Sequence, residues 1–306
     1  MGWKIFVYSI LFILLAFASY FLYWSIQNLT AEPVQLVIRE KPSPSQPSYT
    51  GDLQFYPNMR FAKRILAYSF ESSCNQEKRE KVRQAMNFLE KETGLLKFSE
   101  NGEDIIVGCT ETAKEIPGHY FIAGEGGPVK IINTTSFYVI EKGKLLLFYK
   151  KPLCDNYNIE LHELLHVFGF DHSLNKNSVM YNISSCNQIM TNDIGIELRR
   201  LYSIEELANL QILNVSAYKH GTYLDFEVSM MNSGLKDAEN ITLVLYSGER
   251  KIESFKMNNL SYGEGSIFSA SNVRVARSLT EVRFVLEYGR ELDKDNNAIS
   301  LSLPFS

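Results

Sequence analysis

No excess of basic charge runs through this chain: 31 Lys and Arg stand against 35 Asp and Glu, for a net charge of -4. A polyanion would find no basic footprint, so nucleic acid is excluded as a partner. Cysteine is scarce too, at four in 306 residues, with none after Cys186. That excludes a disulfide-dense scaffold. The even number, Cys74, Cys109, Cys154 and Cys186, suits two disulfides formed in an oxidising compartment. Six Asn-x-Ser/Thr sequons, at Asn28, Asn133, Asn182, Asn214, Asn240 and Asn259, point the same way. No internal repeat is visible, which removes solenoids and propellers. Histidine is nearly as scarce as cysteine, with five in the chain.

Long apolar runs are missing except at the N-terminus. There Ile5–Ile26 carries no charged residue and has the length to cross the roughly 30 Å hydrocarbon core of a bilayer as a helix. Trp3 and Trp24 stand near its ends, where amphipathic rings favour the interface. Residues 1–27 are therefore expected to be a transmembrane signal anchor. The implied protein is single-pass at the cell membrane, with its body outside the cytoplasm. A cleaved signal peptide is the rival, since Ala16-Phe17-Ala18 resembles a cleavage site.

Proline is sparse elsewhere but frequent from 33 to 57, so residues 28–59 read as a semi-extended stalk. From 60 to 206 the patterns mix. "RILAYSF", "DIIVGC", "VKIIN", "SFYVIE" and "KLLLFY" are strand candidates, whereas "NQEKREKVRQAMNFLEKETG" and "NDIGIELRRLYS" have helical period. From 207 to 306 the texture is short alternating runs with turn signals and no helix. About seven strands in that length read as an immunoglobulin-like β-sandwich, with Leu224, Phe226, Val228 and Met230 facing the core and Asp225, Glu227, Ser229 and Met231 facing away. The expected class is α+β followed by all-β.

Three of the five histidines fall in "HELLHVFGFDH", His162 to His172. On a helix, His162 and His166 stack on one face and can aim both imidazoles at one ion. Glu163, one residue round, reaches water at that ion rather than the ion itself. Gly169 lets the chain leave the helix, and the turn brings His172 back as a third ligand. Three imidazoles with a fourth position open are the arrangement of one catalytic zinc ion. The bland alternative, a core helix with satisfied histidines, suits any one of these residues but not all together.

"HELLHVFGFDH" followed by "NSVMY" resembles the extended zinc motif and methionine turn of the metzincin metallopeptidases, most closely their matrixin-like branch. The resemblance covers about Leu66 to Tyr202, including "GEGGPVKIIN" ahead of the motif. It implies a metzincin-type domain with a mixed sheet, with Met180 as a hydrophobic base beneath the metal. Tyr181 is a candidate for transition-state support. The chain departs from the pattern at Leu165, where glycine is common, and at Asn182, where proline is usual. It has no cysteine before Cys74 for a thiol switch, and His119 and His220 cannot supply a second zinc site. "FEVSMMNSGLKDAENITLVLYSG" and "ELDKDNN" resemble CARDB-type adhesion sandwiches.

The expected function is a membrane-anchored extracytoplasmic zinc endopeptidase acting on protein or peptide, with Glu163 as general base. The sandwich would meet a surface protein or glycan. The alternative is a non-enzymatic adhesion or binding protein with a structural or inactive zinc domain. Of three connectivities open to four cysteines, Cys74–Cys109 with Cys154–Cys186 is expected, because each pair brackets one subregion.

Overall fold

The structure, a computed structural model, describes residues 17, 19–21, 53–111, 115–116, 120–121, 123–149 and 155–303. The expected membrane anchor is corrected. Among the described residues no helix is long and apolar enough to cross a membrane, which takes about 20 consecutive apolar residues. The single-pass cell-membrane localisation is corrected with it, and no membrane partner is shown. Of Ile5–Ile26, the described residues are Phe17, Ser19, Tyr20 and Phe21, all helical and exposed. The rest of that span, and the stalk as far as residue 52, lies outside the described residues.

Tyr49–Ser306 forms one compact unit. It is α+β and rich in strand, built from two lobes. The first lobe holds β1 (Met59–Phe61), β2 (Ile65–Phe70), β3 (Lys97–Glu100), β4 (Ile105–Thr110), the small pair β5 (Glu115–Ile116) and β6 (Tyr120–Phe121), β7 (Gly124–Asn133) and β8 (Tyr138–Phe148). Its helices are α1 (Gln76–Thr93), α2 (Asn158–Val167) and α3 (Asn192–Ser203).

α1 runs where its sequence places it. The Asn75 side chain accepts from the Lys78 N–H at 2.9 Å, and Gly94 ends the helix in the left-handed region at φ 63°. Val82, Ala85, Met86 and Leu89 line its buried face. The main sheet runs β1-β8-β4-β2-β3, with β7 added antiparallel on the other side of β8. β8 is one strand where two were expected. β7 pairs along its whole length and β4 and β1 share the opposite side, so the Lys-Gly-Lys run at 142–144 has partners on both edges and does not turn.

The folded chain enters through Leu53 and Phe55, which pack on the first core. Arg60 is fully buried. It donates to the carbonyls of Phe61, Leu201 and Ile204 and lies 4.6 Å over the Tyr202 ring, so it closes the C-terminal end of α3.

The second lobe is a two-sheet sandwich. One sheet is β13 (Gly265–Arg274), β10 (Tyr223–Asn232) and β9 (Leu210–His220). The other is β12 (Arg250–Lys256), β11 (Thr242–Ser247), β14 (Glu281–Glu287) and β15 (Ala298–Ser302). Leu224, Phe226, Val228 and Met230 face its core as expected. Met231 does not face solvent: it is 8 % exposed because Thr135 of the first lobe covers it. Phe137, Val139 and Leu235 form a small apolar cluster shared by the lobes. Thr134 Oγ1 donates to the Ser233 carbonyl at 3.0 Å, and the Tyr262 hydroxyl donates to Glu141 at 3.0 Å.

Candidate metal centre

α2 is buried along nearly its whole length, so any polar side chain on it needs a partner. His162 Nδ1–H donates to the Val179 carbonyl at 2.6 Å, and His166 Nδ1–H donates to the Phe170 carbonyl at 2.7 Å. A carbonyl only accepts, so each ring carries its proton on Nδ1 and turns an unprotonated Nε2 inward. The Nε2 atoms converge with that of His172: His162 and His166 Nε2 lie 3.0 Å apart, and His166 and His172 Nε2 lie 3.2 Å apart. Burial drives the His162 proton affinity down to about 4, with His172 adding to the effect against the Val179 carbonyl. Acceptor atoms crowded this way repel one another unless a cation lies between them. Three neutral imidazoles fit zinc, with a further coordination position left over.

The turn out of α2 makes this possible. Gly169 adopts φ +85°, and a Cβ there would meet Met59 Sδ at 2.4 Å, so only glycine serves. The Gly169 N–H returns to the His166 carbonyl at 2.9 Å, and Asp171 Oδ1 accepts from the His172 N–H at 2.7 Å. His172 thus arrives from a held turn, its side chain 29 % exposed, where His162 and His166 are buried. Phe55 stacks on His166 at 5.8 Å.

Glu163 lies against β7. A Cβ on Gly124 would sit 2.5 Å from Glu163 Cγ, and one on Gly126 would sit 2.0 Å from the Glu163 carbonyl oxygen. The "GEGG" run is therefore a cradle for α2. Burial pushes the Glu163 carboxyl up to about 8; the Gly126 N–H donates to it and opposes the rise, while Glu125 and Glu160 add to it. Such a group holds a proton readily near neutral pH.

Met180 is buried in the first core, and the turn that carries it also carries Val179, which orients His162. The Tyr181 N–H closes that turn on the Ser178 carbonyl at 3.0 Å, and its side chain is half-buried. Leu165 is fully buried in the core. Cys74 and Cys109 form a disulfide, as expected. Cys186 is disulfide-bonded; Cys154 lies outside the described residues.

Several site residues are not given by the motif. Phe55 and the Val179 and Phe170 carbonyls have no sequence signal that marks them. Lys78 does: it falls four residues before Val82 on the apolar face of α1, an unusual place for a cation, and it pairs with Glu160 of α2 at 2.9 Å. A cleft of about 970 Å³ between the lobes, lined by Lys63, Asp104, Glu141, Lys236, Asp237 and Tyr262 among others, contains none of the histidines.

No protein-family model and no curated protein sequence matches the chain. Solved structures are similar to parts of it. The CARDB domain of a Pyrococcus furiosus protein in complex with di-metal ions is 13 % identical, over 32 % of this chain and 90 % of that one, at a TM-score of 0.27. Archaemetzincin from Methanopyrus kandleri is 16 % identical, over 46 % and 97 %, at 0.32. High choriolytic enzyme 1, a hatching-enzyme zinc protease from Oryzias latipes, is 16 % identical, over 42 % and 54 %, at 0.24. All three are partial likenesses that assign no family, and the finer matrixin-like placement gains no support from them.

Proposed function

We propose that the chain is a zinc-dependent endopeptidase, with its peptidase lobe at about 60–206 and its sandwich at 207–306. The observation that carries the reading is the convergence of three imidazole nitrogens within 4.8 Å of one another, beside a buried carboxyl that is not one of them. A purely structural site has no use for that carboxylate. His162, His166 and His172 would hold one zinc ion, which when bound lowers the pKa of a water and polarises a carbonyl.

The chain's own residues do the rest. With a cation held beside it Glu163 would ionise, take the proton from the attacking water at its carboxylate and return it to the leaving amine, and the Gly126 N–H would fix its aim. Among the described residues β7 pairs with β8 alone, and its other side would take an extended peptide by main-chain hydrogen bonds. Met180 would pack beneath the histidines and Tyr181 would support the developing oxyanion.

The test compares wild type with Glu163→Gln and His172→Ala for zinc content and cleavage of an unfolded-protein substrate. Glu163→Gln should keep zinc yet lose roughly 10²- to 10⁴-fold in turnover, as expected for a missing general base. His172→Ala should lose zinc itself, because a third of the protein ligands is gone. Equal cleavage by wild type and Glu163→Gln would remove Glu163 as the base. Zinc binding by a wild type that cuts nothing would favour the adhesion alternative.

A further inference from the structure

The Lys78–Glu160 ion pair is the feature of the first lobe that its own helices do not explain. Lys78 Nζ lies 2.9 Å from Glu160 Oε1, with side chains 8 % and 1 % exposed. Its neighbour Lys81 differs, lying 3.4 Å and 3.6 Å from Glu77 and Asp155, both solvent-facing. Locally Lys78 is a poor choice for α1 twice over. It puts a cation in the first turn, against the helix dipole, and it buries that cation on the apolar face. α1 gains nothing from it.

α2 does gain. Its N-cap, Tyr157, makes no side-chain capping bond; the Asn158 N–H donates to Asn156 Oδ1 at 3.3 Å and the Asn158 side chain to the Gln188 carbonyl at 2.9 Å, which ties the start of the helix to the 185–188 loop but not to α1. Glu160 lies in the first turn, two residues before His162 and three before Glu163. Lys78, by contrast, sits on a fixed base. Asn75 caps its turn, Cys74 is bonded to Cys109 on β4, and the Asn75 N–H donates to the Tyr149 hydroxyl at 2.8 Å. A directional, desolvated pair from the held turn of α1 gives α2 a second fixed point, on the side facing α1, and so sets its rotation, whereas apolar contact tolerates sliding.

We propose that Lys78 and Glu160 are positioning residues that set the rotation of α2, and so the aim of His162, His166 and Glu163; this rests on the peptidase reading above. Neither residue is among the three histidines or is Glu163.

The test uses the full chain, Co²⁺ as the probe metal, and two variants. In Lys78→Met/Glu160→Leu both charges go together, so that no buried charge is left unpaired. Lys78→Arg keeps the charge and the hydrogen bond. The double variant should unfold thermally like wild type and still bind Co²⁺. Its visible cobalt spectrum should be altered, and its kcat should fall roughly 10- to 100-fold with KM little changed, the scale of losing support behind a metal ligand. Lys78→Arg should restore both. A double variant with the wild-type spectrum and turnover overturns the proposal, as does a Lys78→Arg variant equally impaired. Unfolding of the double variant would make the pair a core stability element and overturn it too. If wild type cleaves no peptide, the peptidase reading falls, and the cobalt spectra still decide the pair.

Discussion

Gly126 shows how closely single atoms constrain the site. Alanine there would put a methyl carbon 2.0 Å from a backbone oxygen of α2, which has no side chain to swing away. Gly126→Ala is expected to destabilise by about 1–3 kcal/mol, as overpacking does, and to impair cleavage more than zinc binding. Unchanged thermal unfolding and turnover would show that β7 and α2 separate freely. Glu163 and His162 make a second residue-scale prediction, for the zinc-free protein. The folded chain keeps the Glu163 proton up to about pH 8, whereas the unfolded chain releases it near 4.5, so this contribution to stability is lost as pH rises between those values. His162 acts oppositely: folded it stays neutral down to about 4 where the unfolded ring charges below 6.5, so its contribution is lost as pH falls. The two trends offset each other from 4.5 to 6.5, leaving a net decline from 6.5 to 8. Denaturant midpoints of chelated wild type should fall over that interval and those of Glu163→Gln should not; parallel curves would rule out burial of this carboxyl as the cause. The histidine cluster and the carboxyl beside it were legible in the sequence because side-chain type and helical spacing carry that information. The carbonyls of Val179 and Phe170 were not, since any residue offers a carbonyl and only the fold decides where it points.

At the scale of elements, the cysteine pair and α1 act together. Cys74–Cys109 closes a loop with a sequence separation of 35, and restricting the unfolded chain over such a loop stabilises by about 3–4 kcal/mol. Cys74 immediately precedes the cap of α1, and Cys109 lies on β4, so the constraint falls on the base from which Lys78 reaches α2. A Cys74→Ser/Cys109→Ser chain is expected to exchange amide hydrogens faster in β4 and the first turns of α1, with the sandwich strands unchanged. A uniform increase across both lobes would mean that the disulfide acts only through the unfolded state. α1 was readable end to end because Asn75 and Gly94 mark its boundaries chemically. β8 was not: the Lys-Gly-Lys run reads locally as a turn, and only pairing on both sides keeps it extended. β9 was not marked out either, because Leu213 and Tyr218 put apolar side chains on the exposed face and Lys219 puts a charge on the buried one, which blurs the alternation that Val215 and Ala217 follow.

At the scale of the whole molecule, the change of texture near 207 locates the second lobe but does not say whether the lobes are independent. The structure answers through residues whose sequence signal is weak. Phe137 and Val139 on one lobe and Leu235 on the other bury each other, Met231 is covered from across the boundary, and Arg290 pairs with Glu205 at 2.6 Å. A single apolar side chain outside the main alternation, such as Leu235, cannot be told from an ordinary loop residue until its partner is known. Two lobes joined this way should unfold together. Leu235→Ala removes the sandwich's part of the shared cluster and is expected to cost about 2–5 kcal/mol, the range for truncating a buried leucine. Calorimetry of wild type should show one transition, and that of the variant one transition at lower temperature or two that have separated. If the sandwich only stands beside the first lobe, wild type will already melt in two steps, and the variant will leave both in place. Zinc offers the sharper reading of the same coupling. A metal held by the first lobe stabilises whatever unfolds with it, by an amount set by its concentration relative to its dissociation constant. Zinc should therefore raise the melting of the sandwich strands in wild type, and Leu235→Ala should abolish that rise while leaving zinc affinity intact.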